Sequence, residues 1–255
     1  MAWPGNTATA PPRLPRPPLP VGAEDLLLIL IVTLGSVRLL VWLLVGLSPV
    51  PGSGRDPGNA LLAAMTVLLF QTAVILAMLR AVVIRKYGLS WADLGLRPAG
   101  RHWYRRAVII AVLLLPTVAL VNSVLIPMLA EEPFRNPQLY AIAPAGFSWS
   151  ALLTMLVMAG VVAPFAEELV FRGLLFPWLR TRLGVPAAVL LSALCFATLH
   201  GAAILIPALT VVGAAFAVIY QRCGSLWPAI VAHSVFNGIM IVVLYALLAA
   251  GVKLP

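Results

Sequence analysis

The chain has 255 residues, 62% apolar and only 10% charged, with a formal net charge of +9. A soluble domain is about half apolar and about a quarter charged, so an ordinary soluble globule is excluded. A nucleic-acid partner is also excluded, because the cations lie between apolar runs rather than on an Arg-rich arm or an amphipathic stripe.

Residues 1–24 form a Pro-rich arm with Arg13 and Arg16, read as disordered and cytoplasmic rather than as a signal peptide. Residues 25–148 hold three predicted spans, near 26–47, 60–84 and 106–129. Each is long enough for the ~20 residues that cross hydrocarbon. The break at 48–59 reads as a loop on its Pro and Gly content alone. The basic loop 85–106 carries Lys86, Arg97, Arg101 and Arg105, with a short interfacial helix expected near 90–96 and Trp91 and Trp103 at headgroup level. Residues 131–147 form a polar loop. Residues 149–250 hold four more predicted spans, near 149–181, 185–203, 204–220 and 226–249. The expected fold is therefore an all-α, polytopic transmembrane bundle of about seven spans. Loop cations place the N-terminus in the cytoplasm and the C-terminus outside. Cys195 and Cys223 form no CxxC pair, and Cys195 reads as inert packing.

Charged groups at membrane depth cost ~2.5–3.5 kcal/mol each, so they mark function by default. Three constellations stand out: Glu167-Glu168-Leu169-Val170-Phe171-Arg172, Phe196-Ala197-Thr198-Leu199-His200 and His233-Ser234-Val235-Phe236-Asn237. Glu168 and Arg172 are four apart and share a helix face, so they can pair. Glu167 lies about 100° around the helix and faces elsewhere. His233 and Asn237 also share a face.

The turns serve as rulers of depth. From the turn at 183–186, Glu167 and His200 are each about 16 residues away, or ~24 Å. From the turn at 222–225, His233 and Asn237 lie ~14 and ~20 Å along the last span. All four groups can meet at one depth inside the hydrocarbon. A carboxylate there can take a proton from water, and a histidine can hold the same water. A second histidine and an asparagine amide can donate to an oxyanion. Two His and two Glu also resemble a catalytic zinc set, but no HExxH occurs and Arg172 already occupies Glu168. The expected cofactor is none, with zinc as the alternative. Interhelical hydrogen-bond glue is the plain structural alternative, weakened by three such groups at matching depth in adjacent spans.

Glu-Glu-x-x-x-Arg, Phe-x-x-x-His and His-x-x-x-Asn, in this order and in membrane spans, resemble the CPBP family of CAAX proteases and bacteriocin-processing proteins, also called the Abi family. The resemblance covers roughly 150–245. It implies an intramembrane glutamic endopeptidase with Glu167 as general base, Glu168, Arg172 and Phe196 supporting the site, and His200, His233 and Asn237 completing it. The implied partners are the lipid bilayer and a membrane-embedded or lipid-associated peptide or protein. Prenylated tails are one substrate class in such a family. Bacteriocin self-immunity and partner-protein regulation without catalysis are alternatives. The Ala/Leu/Arg/Pro-rich composition suggests a bacterial plasma membrane. The first three spans resemble no named family.

Overall fold

The computed structural model describes residues 19–46, 57–129 and 147–252, and these residues form helices and turns without strands. Helix α1 is Ala23–Gly46. Helix α2, Pro57–Met78, runs on into a π-helical stretch, Leu79–Arg85. Helix α3 is Arg101–Leu129. Helix α4 is one long span, Trp149–Leu183. Helix α5 is Val185–Thr198, α6 is Ile206–Cys223 and α7 is Leu226–Ala249. The chain is thus a polytopic helical membrane protein, with six helices among the described residues long and apolar enough to cross a bilayer.

The predicted fifth span, 185–203, is present as a shorter apolar helix than expected. Its helix has only 14 residues. At 1.5 Å per residue it reaches ~21 Å, short of the ~30 Å hydrocarbon core. Thr198 is followed by turns and a 3₁₀ segment, Ala203–Leu205, before α6 begins. Helices α5 and α6 pack along one another as a hairpin. Residues 1–18 of the predicted arm at 1–24, and most of the loops at 48–59 and 131–147, lie outside the described residues, while the end of that arm is corrected because α1 already begins at Ala23.

The expected interfacial helix at 90–96 is a second correction. Residues 91–95 are successive turns. Ser90 donates to Asp93 Oδ2 through both its amide, at 2.8 Å, and its hydroxyl, at 2.6 Å. A short polar side chain that bonds the local backbone offers the chain an alternative to helix. Gly95, at φ 106°, adopts a backbone open mainly to glycine. The loop is fastened to the start of α7. Leu226 donates its amide to the Gly95 carbonyl at 2.8 Å, and Ser225 Oγ donates to the Arg97 carbonyl at 2.6 Å. Leu94 is fully buried beneath it. Helix α3 then packs against both α6 and α7.

A polar lock ties the head of α1 to the chain just after α2. Asp25 at the head of α1 accepts from Lys86 Nζ at 2.7 Å, from the Tyr87 hydroxyl and from the Gly22 amide. The hydrogen bond to Asp25, reinforced by Tyr87, holds the Lys86 ammonium above its ordinary pKa.

Candidate active site

Helix α4 changes pitch twice, and the prolines explain where. A proline inside a helix has no N–H and crowds the carbonyl four residues back. Pro164 follows a π-helical turn, Met158–Val162, and Pro177 follows another, Leu169–Leu175. Widening the helix by one residue per turn relieves both problems, and such turns concentrate at functional sites. Between them sits one short α-helical segment, Ala163–Glu168, which ends on the two glutamates.

Glu168 is fully buried and works as a hub. Its Oε1 accepts from Arg172 Nη1 at 2.9 Å and lies 2.9 Å from His233 Nδ1. Arg172, also fully buried, donates from Nη2 to the Gly213 carbonyl on α6 at 2.8 Å. The guanidinium lies 4.8 Å over the Phe196 ring and 5.5 Å over Phe216. A planar, weakly hydrated cation tolerates this aromatic cage where an ammonium would not. Removing either partner of such a pair would leave a buried charge alone.

His233 bridges the two carboxylates. Its Nδ1 faces Glu168, and its Nε2 stands 3.7 Å from Glu167 Oε2, beyond direct hydrogen-bond range. Phe216 stacks on the imidazole at 4.8 Å, and Phe196 meets it edge-on at 5.6 Å. Glu167 keeps 19% of its side chain exposed, whereas Glu168 and Arg172 keep none.

His200 joins through Phe196. The two rings pack edge to face at 4.5 Å, and His200 Nδ1 lies 2.7 Å from the Phe196 carbonyl. A carbonyl only accepts, so Nδ1 carries a proton. Asn237 lies one turn along α7 from His233. Its Nδ2 donates to the Ala159 carbonyl at 3.0 Å. That carbonyl needs an outside donor for a sequence reason. The Ala163 amide bonds Met158 instead, and the next position, Pro164, has no N–H. One amide hydrogen of Asn237 remains for another acceptor.

All seven residues singled out by sequence therefore fall in one neighbourhood, with Phe196 touching Arg172, His200 and His233. Sequence reasoning missed Gly213, Phe216 and Ala159. The spacing of Gly213 and Phe216 on one face of α6 was a usable signal, since glycine in a span marks close helix approach. A Cβ on Gly213 would stand 3.1 Å from Ala193 and 3.2 Å from Phe196. Cys195 is exposed on α5.

The fold and site define a helical membrane protein with a buried Glu–Arg–His network and one partly open glutamate. Residues 149–239 match the family described as type II CAAX prenyl endopeptidase Rce1-like. The chain is 28% identical over 92 residues to "Putative membrane peptidase YdiL" of Bacillus subtilis (strain 168). That similarity covers 36% of this chain and 38% of the relative's length. No solved structure matches. The resemblance carried by the three motifs is thus borne out over the segment that holds them.

Proposed function

We propose that the chain is an intramembrane endopeptidase in which Glu167 activates water. The observation that carries this reading is the division of labour in the glutamate pair. Glu168 is committed to Arg172 and His233, whereas Glu167 faces the same imidazole across 3.7 Å and stays partly open. Glu167 takes a proton from a water that His200 helps to hold, and the hydroxide adds to the carbonyl carbon of the scissile bond. The remaining Asn237 N–H and His233 Nε2 donate to the oxyanion. Glu167 then returns its proton to the leaving amine as the intermediate collapses, so protons balance.

His233 supports this reading by standing between the two carboxylates, its Nδ1 on Glu168 and its Nε2 toward Glu167. The same arrangement argues for activation without a metal, because Glu168 Oε1 and His233 Nδ1, two atoms that could bind zinc, are turned toward each other. The match to a CAAX prenyl endopeptidase family supports a membrane-associated or lipid-modified protein tail as substrate.

A second reading has its own observation. The Arg172–Glu168–His233 network ties α4, α6 and α7 together, which also suits a non-catalytic partner-binding or immunity protein. The two readings separate on Glu167→Gln, which keeps shape and loses the base. Membrane-fraction proteomics of wild type and variant should show cleaved termini that vanish with the variant. Turnover should fall roughly 10²–10⁴-fold at normal folded yield. Cleavage that survives Glu167→Gln and is lost in Glu168→Gln would reverse the assignment.

A further inference from the structure

A second feature lies away from the glutamates, where α3 and α6 run side by side at the basic end of the bundle. A groove of about 310 Å³ there is lined by Trp103, Arg106, Ile109, Ile110, Val218, Ile219 and Arg222. Both helices contribute the same pattern. Arg106 stands at the rim with Ile109 and Ile110 one turn deeper, and Arg222 stands at the rim with Ile219 and Val218 one turn deeper. Residues three and four apart share a helix face, so each helix offers a cationic head and a branched apolar floor.

The two helices that line the groove contribute no acid of their own. No Asp or Glu occurs between Asp93 and Glu131, and none after Glu168, so α3 and α6 carry no acid at all. Arg106 and Arg222 are both exposed. Arg106 lies 5.1 Å from the Trp103 ring, which steadies the guanidinium at the depth where tryptophan prefers to sit. Two arginines over an apolar floor, opening into a bilayer, match an amphiphile with a negative head. Basic pockets between membrane helices are recognised sites for anionic lipid headgroups.

We propose that this groove binds one anionic phospholipid, its phosphate between Arg106 and Arg222 and the start of an acyl chain along Ile109, Ile110 and Val218. Arginine suits the phosphate because its planar fork can donate two parallel hydrogen bonds. The binding does not depend on the proposed peptidase activity.

The test is lipid retention by native mass spectrometry of the full chain from nanodiscs holding phosphatidylglycerol and phosphatidylcholine. Wild type should keep one phosphatidylglycerol in preference to phosphatidylcholine. Arg106→Gln with Arg222→Gln should lower that retention roughly tenfold or more. Arg101→Gln with Arg105→Gln removes the same charge from the same end without touching the groove, and should leave retention unchanged. Val218→Trp fills the floor and keeps both arginines, so it should lose the lipid as well and decides the matter if the double arginine variant does not fold. Equal retention of phosphatidylcholine, an equal loss in the Arg101/Arg105 control, or displacement of the lipid by millimolar inorganic phosphate would each overturn the proposal.

Discussion

Helices α1 and α6 are both apolar enough to cross a membrane, yet their surroundings are opposite. Only 6% of the apolar window of α1 is buried among the described residues, against 44% for α6. The difference lies in side-chain size rather than hydrophobicity. Helix α1 is rich in Leu and Ile, with Leu27, Ile31, Leu39 and Trp42 all exposed. Helix α6 carries Ala208, Gly213, Ala214, Ala215 and Ala217. In lipid there is little hydrophobic reward for bringing helices together, so close packing and polar contacts decide which ones associate. Small residues let α6 approach α5, and the approach exposes the Gly213 carbonyl to Arg172. The half that holds the Glu–Arg–His network is therefore the half where small residues let helices approach and polar groups meet.

The sharpest way to break this contrast is to remove the cation at its centre. Arg172→Met would leave Glu168 buried with His233 alone, at a cost of about 3–5 kcal/mol. Folded yield in detergent and thermal melting should both drop steeply. Adding Glu168→Gln should recover part of the loss, because the stranded charge is then gone. An unchanged melting point for Arg172→Met would show that the network does not hold the half together.

The next effect probes the seam between the two halves. A Cβ at Gly173 would stand 2.9 Å from the Leu94 carbonyl and 3.3 Å from Leu226 Cδ1. The nearer atom is backbone, in the loop fastened to α7, so it cannot rotate away. Gly173→Ala should cost about 1–3 kcal/mol by overpacking, read as a lower melting temperature. A neutral result would mean that the loop at 89–97 is not seated on α4.

A smaller effect separates two roles of one side chain. Asn237→Ala strips the Ala159 carbonyl of its outside donor, which should cost about 1 kcal/mol. If the second N–H also meets an oxyanion, turnover should fall by roughly 10²–10³-fold, far more than that stability loss explains. Melting curves and single-turnover rates on the same preparation distinguish the two. Loss of stability with turnover retained would leave Asn237 as a helix support only.

Much of this half was legible because helical spacing is rigid. Four-residue steps put Glu168 on Arg172 and bring His233 and Asn237 to one face, and the turn rulers placed Glu167 and His200 at comparable depth. Three things were not legible. The π-helical turns arise where prolines forbid regular bonding, and spacing alone does not say how a helix absorbs a proline. The grip of Glu168 on His233 is a contact between residues 65 apart, set by packing. The short α5 looked like a span because its apolar run continues past Thr198 into the turns, and hydropathy does not see where backbone bonding stops. In the N-terminal half composition located the spans, but it did not reveal the Asp25–Lys86–Tyr87 lock, which joins α1 to the far end of α2.

The smallest expected effect tests the other side of the comparison. Ile31 on α1 is 65% exposed. In a soluble protein that exposure would leave the side chain in water, and its truncation would be near neutral for that reason. In a bilayer the surrounding medium is hydrocarbon whether α1 is docked or apart, so no burial energy is gained on docking. Ile31→Ala should therefore shift stability by less than about 0.5 kcal/mol, measured by thermal melting in lipid nanodiscs. A loss as large as that expected for Gly173→Ala would mean that the face carrying Ile31 is covered in the assembled protein. The low burial of α1 would then mark an interface rather than a lipid boundary, and the contrast with α6 would reduce to which partner each helix has.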